Sequence, residues 1–151
     1  MMLILRSALF NLAFYLNLVM WMTIALPTLA MPRRVFMWIA RQWSLSSLWL
    51  LKMITGTHFE LRGAGNIPHG GFIVVGKHQS VWETFALFSL FKDPCFILKR
   101  ELAWIPVFGW YVLKSEMVPI NRKAGQSTMA VMNARASAAI TEGRQILIFA
   151  E

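Results

Sequence analysis

Two proton-handling side chains stand five residues apart in the stretch Val75-Gly76-Lys77-His78-Gln79-Ser80-Val81-Trp82-Glu83-Thr84. Imidazole is the side chain whose ordinary pKa lets it take up and return a proton near neutrality. A carboxylate that accepts the N–H of one ring nitrogen fixes the tautomer and leaves the other nitrogen free to deprotonate a hydroxyl. His78 and Glu83 could work in this way, as a Ser–His–Asp relay without its serine, the alcohol coming from the substrate. Ser80 lies between them but lacks the Gly-x-Ser-x-Gly elbow that presents a serine nucleophile. The His-x4-Glu spacing by itself is weak, since it recurs by chance and a lone histidine is usually structural.

Such a pair needs a rigid approach on both sides. Phe72–Val75 is a compact apolar run suited to a buried strand, and Val81–Phe91 has helical spacing. His78 would then lie in a strand-to-helix turn. Glu83 would fall in the first helical turn, where the helix dipole favours a negative charge. The pattern continues with strands at Cys95–Leu98, Met117–Ile120 and Gln145–Phe149, and with helices over Trp104–Leu113 and Gln126–Glu142, the last ending at Gly143. A short strand is also expected at His58–Arg62. Alternating strands and helices predict an α/β layer fold built on a central sheet. Gly63-Ala64-Gly65 opens like a dinucleotide fingerprint, but Pro68 occupies the sixth position, where a glycine should pack a helix.

The remainder of the chain has another character. Of its 151 residues 57% are hydrophobic and only 15% charged, and the net charge is +8. This composition argues against disorder and makes a simple soluble globule a poor fit. Cys95 is the single cysteine, so no internal disulfide forms. His58, His69 and His78 are scattered and do not make a zinc set. Residues 1–59 carry Arg6, Arg33, Arg34, Arg41 and Lys52 and no acid, Glu60 being the first. No charge interrupts the run from Ser7 to Pro32. About 20 helical residues cross the ~30 Å hydrocarbon core of a bilayer, so residues 8–30 are long enough to do so. Their length, and the lack of a small-residue cleavage site at Met31-Pro32-Arg33-Arg34, disfavour a cleaved signal peptide.

Residues 35–54 form a second apolar stretch, diluted by Arg41, Gln42, Ser44, Ser46 and Ser47, with Pro27 and Pro32 as breaks between the two. A helical hairpin in one leaflet and a single true span both fit. Trp38, Trp43 and Trp49 suit the membrane–water interface, and Arg33–Arg34 would favour a cytoplasmic side for their loop. The basic excess is attracted to anionic lipid, and nothing resembles a nucleic-acid-reading element.

Several blocks in order give the chain a family resemblance. Lys77-His78-Gln79-Ser80-Val81-Trp82-Glu83-Thr84 resembles the His-x4-Asp motif of the lysophosphatidic acid acyltransferase (1-acyl-glycerol-3-phosphate acyltransferase) family, bacterial type, with Glu for Asp. Lys99-Arg100-Glu101-Leu102 with Ile105-Pro106-Val107-Phe108-Gly109 is similar to its second block, and Val118-Pro119-Ile120-Asn121-Arg122 to its Ile-Asp-Arg block. Ile148-Phe149-Ala150-Glu151 looks like the start of Phe-Pro-Glu-Gly-Thr-Arg, and Gly63–Pro68 matches the usual approach to the catalytic strand. The resemblance covers residues 58–151.

It implies a membrane-associated helical hairpin over residues 1–55, followed by a glycerolipid-acyltransferase-type α/β domain over 56–151. It implies acyl transfer from acyl-CoA or acyl carrier protein to the 2-hydroxyl of lysophosphatidic acid, with His78 as base, Glu83 as its support and no cofactor or metal. Lys99, Arg100 and Arg122 become candidates for the acceptor phosphate, arginine being the better bidentate ligand, and Glu151 joins them as a substrate-binding residue. The implied location is the cytoplasmic membrane, with the site facing the cytoplasm. Asn121 for Asp and Ala150 for Pro are further departures from the family pattern. The chain stops inside the last block, so a C-terminally truncated product with an incomplete sheet is expected. An acyltransferase with another acceptor (glycerol 3-phosphate or another lysolipid) and an inactive membrane remnant are the alternatives. Trp82, Trp104, Trp110 and Met117 are expected to pack in the core, with an acyl groove as the other role.

Overall fold

The structure, a computed structural model, describes residues 2–77, 79–121 and 126–150. The chain divides into two compact units, Met1–Ile67 with Ser80–Leu90, and Pro68–Gln79 with Phe91–Glu151.

The first unit is helical. α1 (Met2–Ala25) runs into a 3₁₀ turn, Leu26–Ala30, and α2 (Arg33–Thr55) folds back along α1. Pro27 is the second residue of the 3₁₀ turn and Pro32 immediately precedes α2, positions where a missing N–H costs nothing. α2 stops at Gly56, whose φ of +74° is the left-handed conformation that glycine adopts freely. Polar side chains join the two helices. The Asn17 amide donates to the hydroxyls of Ser46 (2.9 Å) and Ser47 (3.0 Å), and the Trp21 indole donates to Ser46 (3.0 Å). The serines that dilute the second apolar stretch are therefore the partners of α1. In hydrocarbon, where burial of apolar surface does not drive helices together, such bonds contribute roughly 0.6 kcal/mol each.

α3 (Trp82–Leu90) completes this unit. Phe85 packs between Phe14 and Trp43, with centroids 5.6 and 6.1 Å away, and its carbonyl accepts from the Ser44 hydroxyl. Trp43 therefore belongs to an internal aromatic cluster and not to a surface belt, while Trp38 and Trp49 are exposed as expected. Leu5, Leu9, Leu12, Leu16 and Val19 on α1 are also exposed. The helical run Met2–Ala30 is long and apolar enough to cross a membrane.

The second unit holds a parallel four-stranded sheet: β1 (Phe72–Lys77), β2 (Pro94–Lys99), β3 (Val118–Ile120) and β4 (Gln145–Ala150), in the order β1-β4-β2-β3. Alternate strand residues Cys95, Ile97, Val118 and Ile146 face α5 (Gln126–Thr141) and pack on its Ala136 and Ala139, as the two-residue period of a strand dictates. α5 ends before Gly143, whose φ is +80°.

Two sequence expectations fail. Residues 56–63, including His58–Arg62, have no regular structure. They lie in the helical unit, whereas all four strands of the described residues lie in the other, so the segment has no strand to pair with. The helix expected over Trp104–Leu113 is broken into a 3₁₀ turn, Arg100–Trp104, and α4 (Phe108–Lys114). Pro106 forces Ile105 out of the helical region, to φ −66° and ψ +124°.

The N-terminal ends of the strands are held by a polar cluster that sequence reasoning missed. Buried Arg144 donates to the carbonyls of Ser115 (3.0 Å) and Glu116 (3.2 Å) and lies 3.5 Å from the carboxylates of Asp93 and Glu116. The Gln145 side chain accepts from Asp93 N–H and donates to the Gly70 carbonyl. The available signal was an arginine placed between Gly143 and a buried strand.

α5 also comes very close to Gly71: a Cβ there would lie 2.0 Å from the Ile140 carbonyl oxygen. Gly71→Ala is expected to cost about 1–3 kcal/mol through overpacking, read as a lower urea midpoint in detergent. Gly65→Ala, with no atom within 4 Å, should be close to neutral in the same assay.

Candidate active site

Because every strand pair is parallel, the sequence blocks that follow the strands emerge at one edge of the sheet. β1 ends at Lys77, in register with Ala150 at the end of β4. β2 ends at Lys99, in register with Ile120 at the end of β3. In open α/β sheets this carboxyl edge is where ligands bind. The sheet also forks there. β2 pairs with β4 through Pro94, Cys95 and Phe96, and with β3 through Ile97, Leu98 and Lys99. Beyond Phe96 and Leu147 no register joins the two central strands, while the Phe96 and Phe149 rings stack 6.0 Å apart beside the fork.

The proposed site residues fall on this frame as follows. Lys77 and Gln79 flank His78, which itself lies outside the described residues, as do Arg122 and Glu151. Lys99 is the last residue of β2, and Arg100 opens the 3₁₀ turn that follows. Both are exposed. The Arg100 guanidinium lies 5.1 Å from the Trp104 ring centroid, a cation–π stack. Asn121 directly follows β3. The structure thus brings Lys77, Lys99, Arg100 and Asn121 to one edge of the second unit.

Glu83 belongs to the first unit, in the first turn of α3 as the spacing predicts. Its neighbour Trp82 helps to line an apolar cavity of about 310 Å³ within that unit, with Leu45, Leu48, Trp49, Phe59 and Ser89. Trp82 therefore fits the groove reading better than plain core packing. Trp104 and Trp110 do not pack in the core: they are 64% and 54% exposed. Met117 packs beside β2, where its sulfur lies 3.0 Å from the Phe96 amide nitrogen. Among the described residues no three His, Cys, Asp or Glu side chains are grouped to hold a metal ion.

The link from Arg100 to α4 is tightly built. The Phe108 N–H donates to the Pro106 carbonyl (2.7 Å), closing a γ-turn of the rarer positive-φ hand at Val107 (φ +65°, ψ −53°). A β-branched residue in this region is strained. The Gly109 N–H donates to the Ile105 carbonyl (2.7 Å), and a Cβ on Gly109 would lie 2.0 Å from the Ala103 carbonyl oxygen. The block Ile105-Pro106-Val107-Phe108-Gly109 is thus a folding device: proline ends the turn, and glycine lets α4 lie against it. Tyr111 is on the buried side of α4, and burial raises its phenol pKa.

The family model for acyltransferases matches residues 58–151. The chain belongs to the acyltransferase family. It is 30% identical over 97% of its length to a 1-acyl-sn-glycerol-3-phosphate acyltransferase of Pseudomonas aeruginosa, and covers 58% of that protein. It is 30% identical over 71% of its length to a lyso-ornithine lipid O-acyltransferase of the same organism, covering 40% of it. A yeast (Saccharomyces cerevisiae) 1-acyl-sn-glycerol-3-phosphate acyltransferase is 25% identical over 56% of the chain, which covers 28% of it. The chain thus spans less than two thirds of the length of each of these relatives. No solved structure matches it significantly.

Gly109→Ala should force α4 away from the Arg100–Trp104 turn. A loss of about 1–3 kcal/mol is expected, together with a changed Trp fluorescence spectrum as the Arg100–Trp104 stack is disturbed. An unchanged melting profile and spectrum would show that the contact is not needed.

Proposed function

We propose that the chain carries the base and much of the substrate-holding edge of an O-acyltransferase. It moves an acyl group from acyl-CoA or acyl carrier protein to the 2-hydroxyl of 1-acyl-glycerol 3-phosphate, giving phosphatidic acid for phospholipid synthesis. The observation that carries this reading is the common edge of the parallel sheet. The four sequence blocks begin in or at the ends of the strands that finish at Lys77, Lys99, Ile120 and Ala150. Family membership and the name of the P. aeruginosa relative support it.

In this reading His78 removes the proton from the acceptor hydroxyl, and Glu83 holds the imidazole tautomer, a pairing that rests on their spacing in the chain. The oxygen attacks the thioester carbonyl. The tetrahedral intermediate collapses with loss of the thiolate, which takes from the imidazolium the proton that came from the hydroxyl. Lys99, Arg100 and Arg122 hold the acceptor phosphate, and Glu151 contributes to substrate binding. The cavity beside Trp82 suits an acyl chain, being apolar and concave. Residues 1–55 serve as membrane anchor and 56–151 as the catalytic part. The exposed apolar face of α1 and the basic Arg33–Arg34 pair at the start of α2 support a seat in the cytoplasmic membrane, with the site on the cytoplasmic side.

His78→Ala in the full-length protein should lower acyl transfer to lysophosphatidic acid by on the order of 10²–10⁴ without loss of membrane recovery. Glu83→Asp should keep most of the rate and Glu83→Gln should lose it. A His78→Ala protein with undiminished turnover would end the proposal.

A second acceptor has a specific observation behind it, the similarity to a lyso-ornithine lipid O-acyltransferase. Rates on the two lysolipids, measured side by side, separate the readings. If the phosphate is the recognised group, the double change Lys99→Ala, Arg100→Ala should raise KM for lysophosphatidic acid roughly 10- to 100-fold, the size expected for lost charged hydrogen bonds.

A further inference from the structure

The segment from Arg100 to Lys114 in the second unit has its polarity inverted. A short surface helix ordinarily buries one face and turns polar residues to water. α4 buries Gly109, Tyr111 and Val112, yet its outward residues are Phe108, Trp110 and Leu113, the last 65% exposed. The preceding turn adds Leu102, Trp104 and Ile105, all exposed. In the sequence these six apolar side chains are accompanied by three cations, Lys99, Arg100 and Lys114, and by two carboxylates, Glu101 and Glu116, the latter facing Arg144. The Arg100 guanidinium is already stacked on Trp104.

We infer that this segment is a second membrane contact, separate from the N-terminal hairpin, that seats in the headgroup region of a bilayer containing anionic lipid. The chemistry is complementary. Indole rings settle at the membrane–water boundary, and flanking lysine and arginine meet lipid phosphates. A second copy of the chain is a poor occupant, because two surfaces with excess positive charge repel and the chain has a net charge of +8. The segment is also preformed. The Val107 γ-turn and the Gly109–Ala103 contact hold its backbone, so little order has to be gained on docking. Arg100 follows the last residue of β2. Seating the segment therefore brings the carboxyl edge of the sheet to the lipid surface, where a lysolipid acceptor resides. The inference rests on the reading of the protein as a membrane-bound lipid acyltransferase.

The test uses the full-length protein carrying an environment-sensitive fluorophore on a single introduced cysteine, the native Cys95 being fully buried. Ile105→Cys and Leu113→Cys report on the segment, Leu9→Cys on the hairpin, and Glu142→Cys on an exposed site elsewhere in the second unit. Each is mixed with phosphatidylcholine vesicles, with and without phosphatidylglycerol, that contain a headgroup-level spin-labelled lipid as quencher. Quenching at 105 and 113 several-fold above that at 142, and greater with phosphatidylglycerol, is the expected result. Quenching at 9 but not at 105 or 113 would overturn the second contact and leave the anchor standing. A blue shift at 113 without quenching by lipid would assign the surface to protein, a second copy included, and would equally overturn it. No quenching at any of the four positions would remove the membrane reading itself.

Discussion

The sheet depends on its last strand. β1 and β2 do not touch in the strand order; β4, formed last in the chain, lies between them and bonds to both. Without β4 the strand leading to residue 78 would have no partner in the sheet, and the β2–β3 pair would stand alone. A two-stranded pair is marginal in water. Everything placed at the carboxyl edge is therefore positioned by a register of parallel hydrogen bonds running from Phe72–Gln145 to Lys77–Ala150.

Parallel pairing across long sequence separations has to be held at the start of the strands as well as along them. The Arg144 and Gln145 cluster does this, tying Gly70, Asp93, Ser115 and Glu116 to the N-terminal end of β4. The arrangement divides labour between the two ends of the sheet. The buried Arg144 guanidinium and its carbonyl and carboxylate neighbours fix one end, and the exposed cations Lys99 and Arg100 stand at the other. A buried guanidinium is costly unless partnered, and Arg144, with two carbonyls and two carboxylates beside it, suits a structural role.

The helical unit follows a different rule. Its outer surface is apolar, and its specificity comes from a few internal polar bonds between Asn17, Trp21, Ser46 and Ser47. Water would punish such an exposed surface, whereas a lipid environment would leave the hydrogen bonds to decide how the helices meet. The exposed indoles of the second unit fit the same setting, since Trp104 and Trp110 are large apolar groups that the fold does not cover.

Much of the secondary structure was legible in the sequence. The compact apolar runs around Phe72, Cys95 and Gln145 read directly as strands, and Gly143 marks a helix end because only glycine takes the left-handed turn without cost. Spacing alone placed Glu83 in a first helical turn, and the ordered blocks named the family that the match over residues 58–151 establishes. The tertiary structure decided the rest. Strand order is a matter of pairing between distant segments, so no local pattern could say that β4 enters between β1 and β2, or that His58–Arg62 would find no partner. The break at Val107 and the exposure of Trp104 and Trp110 likewise depend on what α4 packs against. Periodicity shows which residues share a face, and only the packed neighbours determine whether that face is covered.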